Sequence, residues 1–126
     1  LGAKFGSDVY FVTHTWMGSA EGHPDMPEFV KLYTDYHGSA PDTAFVATGW
    51  DTVMLFAQAA EIAGTTDGAA VAKALEENEF NLLTGDLDYS NAADGHYPYK
   101  AAALVALTEG NPSFLGWRNP ENPPAP

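Results

Sequence analysis

The stretch Thr48–Ala63 constrains this chain more than any other part of it. Wound as a helix, it puts Trp50, Val53, Ala57 and Ala60 on one side and Leu55, Phe56, Ala59 and Ile62 on another. Only Asp51, Thr52, Gln58 and Glu61 interrupt that apolar surface. A helix that is apolar nearly all round must be packed on several sides. The other elements readable here are few: a strand, two shorter helices and a strand pair or triple. They offer too little cover, so the helix belongs in the middle of something larger.

Those other elements follow from local pattern. Val9-Tyr10-Phe11-Val12-Thr13 is β-branched and aromatic and predicts a buried strand. His14–Pro24, with Gly18, Ser19, Gly22 and Pro24, is loop-like. Asp25-Met26-Pro27-Glu28 is a helix start, and Met26, Phe29, Val30, Tyr33 and Tyr36 recur at helical spacing up to a stop at Gly38. The apolar helix begins between Thr43 and Thr48, with Thr48-Gly49-Trp50-Asp51 matching a capping pattern, and ends at Gly64. Asp67 caps a third helix through Val71, Ala74 and Leu75, whose acidic end, Glu76-Glu77-Asn78-Glu79, opposes the helix dipole and is expected to fray. From Gly85, Leu87 and Tyr89 alternate with polar residues before a turn at Asn91–Gly95. Lys100–Thr108 reads as a strand, although its alanines also permit helix. A Glu109-Gly110-Asn111-Pro112 turn then leads to Phe114-Leu115-Gly116-Trp117, giving a hairpin or small meander. The expected fold class is α/β, with residues 1–119 too lopsided for a whole domain and 120–126 a Pro-rich tail.

Charge excludes two functional classes. Five Lys and Arg against 17 Asp and Glu leave a formal charge of -12, and no cationic patch forms from sequence neighbours to grip nucleic acid or anionic lipid. The absence of cysteine removes thiol chemistry, disulfides and cysteine-bound zinc. No segment approaches the roughly 20 apolar residues of a spanning helix, so a soluble chain is expected. It begins at Leu1 without a signal-like segment, which suggests a removed leader or an internal cut.

Isolated chemistry-bearing residues form no compact motif. His14, His23, His37 and His96 match no metal-ligand spacing and read as separate surface or capping residues. Asp86, Asp88 and Asp94 resemble a calcium loop only loosely, with Asn91 where glycine is needed and Tyr97 in place of the closing Glu. Solvated hairpin acids are the simpler reading. Asp86 and Asp88 share a strand face but lack a nucleophile or an apolar wall to separate their pKa values. No serine sits in a nucleophile elbow, and no Gly-rich phosphate loop follows a strand. Neither a cofactor nor a catalytic set is expected.

The order of elements resembles the C-terminal third of the type I periplasmic solute-binding proteins. The nearest branch is that of the leucine/isoleucine/valine and short-chain amide binding proteins of ABC importers. The resemblance runs from Val9–Thr13 to about Trp117, through Phe29-Val30-Lys31-Leu32-Tyr33, Tyr36-His37-Gly38 and Gly49-Trp50-Asp51-Thr52-Val53, where the family commonly has Gly-Tyr-Asp. It continues through Ala59-Ala60-Glu61-Ile62-Ala63-Gly64, Val71-Ala72-Lys73-Ala74-Leu75 and Thr84-Gly85-Asp86-Leu87-Asp88-Tyr89 with Asp94-Gly95-His96.

The resemblance implies a piece of a two-lobed binding protein, periplasmic or extracellular, that closes on a small amino acid or amide and presents it to an ABC permease. A complementary fragment or a homo-oligomer would complete it. It also implies that Phe45 contacts the apolar part of the ligand, with Trp16 and Trp50 as weaker candidates. Trp50 replaces the usual Tyr and so lacks its hydroxyl. Read from the residues alone, Phe45 and Trp50 are better taken as core aromatics near a helix start, since aromatics usually fill interiors. The alternatives are a self-associating ligand-sensing or interaction module of the same α/β type and, more remotely, an enzyme using Asp86, Asp88 and His96.

Overall fold

The computed structural model describes residues 9–90, 98 and 100–119. The Asn91–Gly95 turn, Asp94, His96, Tyr97 and the 120–126 tail lie outside the described residues. The described residues form two bodies: residues 26–88 make the first, and strands from before and after that stretch make the second.

The first body is built from three helices and a hairpin. Helix α1, Met26–His37, starts with Pro27 in its first turn and Glu28 near its positive end. Its Gly38 N–H closes the last turn on Thr34 O at 2.8 Å. Helix α2, Phe45–Ala63, ends at Gly64. Helix α3, Gly68–Glu77, is capped by Asp67, whose Oδ1 accepts from the Ala70 N–H at 3.1 Å. At its other end Asn78 Nδ2 donates to Ala74 O at 2.8 Å, which satisfies a terminal carbonyl and stops the helix.

Strand β2, Glu79–Leu82, then pairs antiparallel with β3, Gly85–Asp88, around a turn at Leu83-Thr84. The acidic run reads in sequence as a fraying helix end that includes Glu79, with strand character only from Gly85. Instead Phe80 and Leu82 alternate inward from Glu79 and Asn81, the period of a strand with one buried face. Ala59, Val71, Ala74, Phe80, Leu82 and Leu87 form the core between α2, α3 and the hairpin. A smaller cluster of Met26, Phe29, Ala47 and Leu83 fastens α1.

The second body is a three-stranded antiparallel sheet whose central strand comes second in chain order. It comprises β1 (Val9–Thr13), β4 (Ala102–Thr108) and β5 (Asn111–Arg118). Glu109 and Gly110 join β4 to β5 with φ of 51° and 88°, the doubly left-handed turn that suits strand twist and that glycine makes easy.

Cover is where several expectations change. Strand β1 is a strand but not a buried one: Tyr10, Phe11 and Val12 are exposed, because only β4 pairs with it and no layer covers its faces among the described residues. Helix α2 buries only Ala47, Asp51 and Ala59, while Phe45, Trp50, Val53, Phe56 and Ile62 stay exposed. Packing on several sides is therefore not realised among the described residues. Tyr36, expected on the apolar face of α1, is 85% exposed for the same reason. Thr48 lies inside α2 and not at its cap; its hydroxyl donates to Phe45 O at 2.8 Å, and Asp51 is engaged elsewhere.

Candidate functional site

The junction between the two bodies gathers the buried polar groups. Asp51 projects from α2 to the hairpin turn, where its carboxylate accepts the Leu83 N–H at 3.0 Å and the Thr84 N–H at 2.8 Å. It is only 4% exposed, and two backbone donors are the partners a buried carboxylate needs. Two chain segments reach the same turn from the sheet. Thr15, just after β1, donates from Oγ1 to Leu83 O at 3.0 Å. Lys100, just before β4, donates from Nζ to Thr84 Oγ1. Burial pushes the Lys100 ammonium below its ordinary pKa, and the nearby Asp51 carboxylate partly offsets that shift.

These crossing segments also wall a recess of about 550 Å³, lined by Val12, Thr13, His14, Thr43, Ala44, Phe45, Lys100, Ala101 and Ala102. Phe45 stands at the start of α2, 67% exposed, with the His14 ring 5.3 Å from its own. An exposed phenyl beside a recess at a junction can take the apolar part of a small ligand.

The other two aromatic candidates occupy different places. Trp50 packs against Phe29 at 5.6 Å between ring centres and borders a separate cleft of about 270 Å³ with Leu32, Met54 and His23. Trp16 stacks on Phe114 of β5 at 6.2 Å and donates from Nε1 to Ser19 Oγ at 3.2 Å. The loop winds tightly around it: a Cβ on Gly22 would come within 2.0 Å of the Trp16 carbonyl oxygen, so only glycine fits there. The three aromatics do not converge on one site.

The titratable candidates are likewise dispersed. His14 lies beside Phe45, His23 Nε2 meets Asn81 Oδ1 at 3.1 Å, and His37 stacks on Tyr33. Asp86 accepts from Asn81 Nδ2 at 2.6 Å, and Asp88 accepts the Ser90 N–H at 2.7 Å. Sequence reasoning missed the Asp51, Thr84, Lys100 and Thr15 set. Its signal was an acid alone among apolar side chains in α2, since such a residue goes inside only with partners.

Comparison with known proteins gives this geometry a setting. The sequence profile of the periplasmic binding protein family matches residues 1–112. The Leu/Ile/Val-binding protein homolog 1 of Brucella suis biovar 1 (strain 1330) is 34% identical over 99 residues, covering 78% of this chain and 26% of that protein. The protein of the same name from Brucella melitensis gives the same values. This chain thus spans about a quarter of the length of the curated relatives it matches.

Among solved structures, a leucine binding protein from Thermotoga maritima superposes with a TM-score of 0.66 at 26% identity, covering 90% of this chain and 31% of that one. A solute binding protein from R. palustris, in complex with benzoate, gives 0.63 at 25% identity, covering 91% and 31%. An amino acid ABC transporter substrate-binding protein from Pseudomonas fluorescens Pf-5 gives 0.74 at 22% identity, covering 97% and 34%, a likeness of fold.

Proposed function

We infer the function from one premise: this chain belongs to the periplasmic binding protein family. We propose that it forms the C-terminal part of a solute-binding protein of an ABC importer. In this reading it works in the periplasm and binds a branched-chain amino acid, a related small amide or another small carboxylate with an apolar body. The names of its relatives support that ligand class. The remainder of such a protein would cover the exposed side of α2 and supply the other wall of the ligand cleft. Closure of the two lobes would then present the loaded form to a membrane permease.

The observation that carries the reading is Phe45, exposed at the recess where both crossing segments meet the start of α2. Trp16 and Trp50, which face other surfaces than that recess, stay in the proposal only as weaker candidates.

The test is calorimetric titration of the full-length protein with leucine, valine, small amides and benzoate. Binding of at least one is expected, and Phe45→Ala should weaken it by about 1–3 kcal/mol. Silence across the panel would remove the proposed ligand class, whereas unchanged affinity in the variant would remove Phe45 from the ligand. The alternative, a self-associating module, is favoured only by the exposed Val53, Phe56 and Ile62. A discrete oligomer of this chain in light scattering, together with silence of the full-length protein across the ligand panel, would favour it; binding of a probe by the full-length protein would count against it.

A further inference from the structure

Both segments that cross between the bodies are pinned to one two-residue turn. Thr15 holds the Leu83 carbonyl and Lys100 holds the Thr84 hydroxyl, while Asp51 secures both backbone N–H groups of that turn from α2. Thr15, Thr84 and Asp51 are 2%, 1% and 4% exposed. Out of water, such hydrogen bonds are strong and breaking one strands a polar group. The turn therefore moves with α2, and each crossing segment is hydrogen-bonded to it, through Thr15 and Lys100. The same segments contribute Thr13, His14, Lys100 and Ala101 to the recess beside Phe45.

We propose that Thr84 and Lys100 are positioning residues for ligand binding. Through their hydrogen bond they hold the 100–102 segment against the hairpin turn and so set the width of the Phe45 recess. Thr15 is the matching pin on the 13–15 segment. Any reorientation of the sheet relative to α2 must pivot at these two bonds or break them. The ligand arm of the idea rests on the function proposed above; the pin itself does not.

The experiment compares Thr84→Val and Thr84→Ser in the full-length protein, with leucine, valine, small amides and benzoate as probes. Valine keeps the shape and loses the acceptor, whereas serine keeps the acceptor. Valine should lower affinity for whichever probe the wild type binds by about tenfold and speed amide hydrogen exchange at Ala101–Ala103 in the unliganded protein. Serine should restore both. Wild-type exchange and affinity in Thr84→Val, or failure of serine to rescue, would overturn the proposal. Should the valine variant not fold, Lys100→Met removes the donor of the same pin and is read by the same exchange. If the wild type binds none of the probes, the functional reading fails while exchange alone decides the pin. If the wild type binds and exchange is unmoved by valine, only the pin fails.

Discussion

The helix–hairpin body and the three-stranded sheet are both regular, yet they differ in what lies on their faces. In the first, Phe80, Leu82 and Leu87 from the hairpin interlock with Ala59 of α2 and with Val71 and Ala74 of α3. A layer of strands meets a layer of helices, the usual way to make a core. In the sheet, Ala103 and Val105 of β4 are buried, while Tyr10, Phe11 and Val12 of β1 and Leu115 of β5 are exposed. Ladder hydrogen bonds are enough to define strands, but they provide no second layer. Secondary structure and burial are therefore separable here, and α2 shows both conditions on one helix: Ala59 is enclosed and Val53 is 68% exposed.

The sharpest way to break that contrast is Phe80→Ala. Phe80 is 2% exposed at the centre of the first body, and deleting a buried phenyl costs about 3–5 kcal/mol. That is a large share of a small domain's stability. Urea unfolding of this chain should show a strongly lowered midpoint or no folded baseline. A change below about 1 kcal/mol would mean that the first body has no consolidated core.

The junction should give a smaller, pH-dependent effect. Lys100 has its pKa lowered from 10.5, chiefly because burial disfavours the ammonium, with Asp51 opposing. In the window just below 10.5 the unfolded chain then binds more protons than the folded one. Stability contributed by this group therefore rises with pH up to that value and is lost as pH falls through the folded pKa. Urea midpoints of wild type and Lys100→Met, measured across the alkaline range, should diverge in favour of wild type as pH approaches 10.5. A constant difference would detach Lys100 from the buried cluster.

What the sequence reveals tracks how local each determinant is. Asp67, Gly38 and Gly64 act within a turn of their own helices, and those boundaries are legible. Thr48-x-x-Asp51 misleads because the Asp51 carboxylate serves backbone donors of Leu83 and Thr84, a long-range use that spacing does not encode. Strand β2 was concealed by the acidic run before it, although the alternation of Phe80-Asn81-Leu82 was available to find it. The family resemblance drew attention to Phe45, and the structure puts it at a recess. It could not show that Trp16 and Trp50 lie on other surfaces, because that depends on which faces the loop and α1 occupy. The Thr84–Lys100 pair was illegible as a pair, since neither residue is unusual alone.

The smallest expected effect completes the comparison from the side of the sheet. Phe11 has the same side chain as Phe80, sits in a strand with full β4 pairing opposite Val105, and is 44% exposed. With no layer against it among the described residues, truncation removes little buried area, and Phe11→Ala should change the stability of this chain by no more than about 0.5 kcal/mol. If the remainder of the proposed full-length protein also covers the sheet, the same substitution there should approach the cost of a core phenylalanine, about 3–5 kcal/mol. Parallel urea titrations of the two forms measure the difference directly. A large loss in the short chain would show that β1 is already covered there, and equal small losses in both would show that its face stays in water even when the lobe is complete.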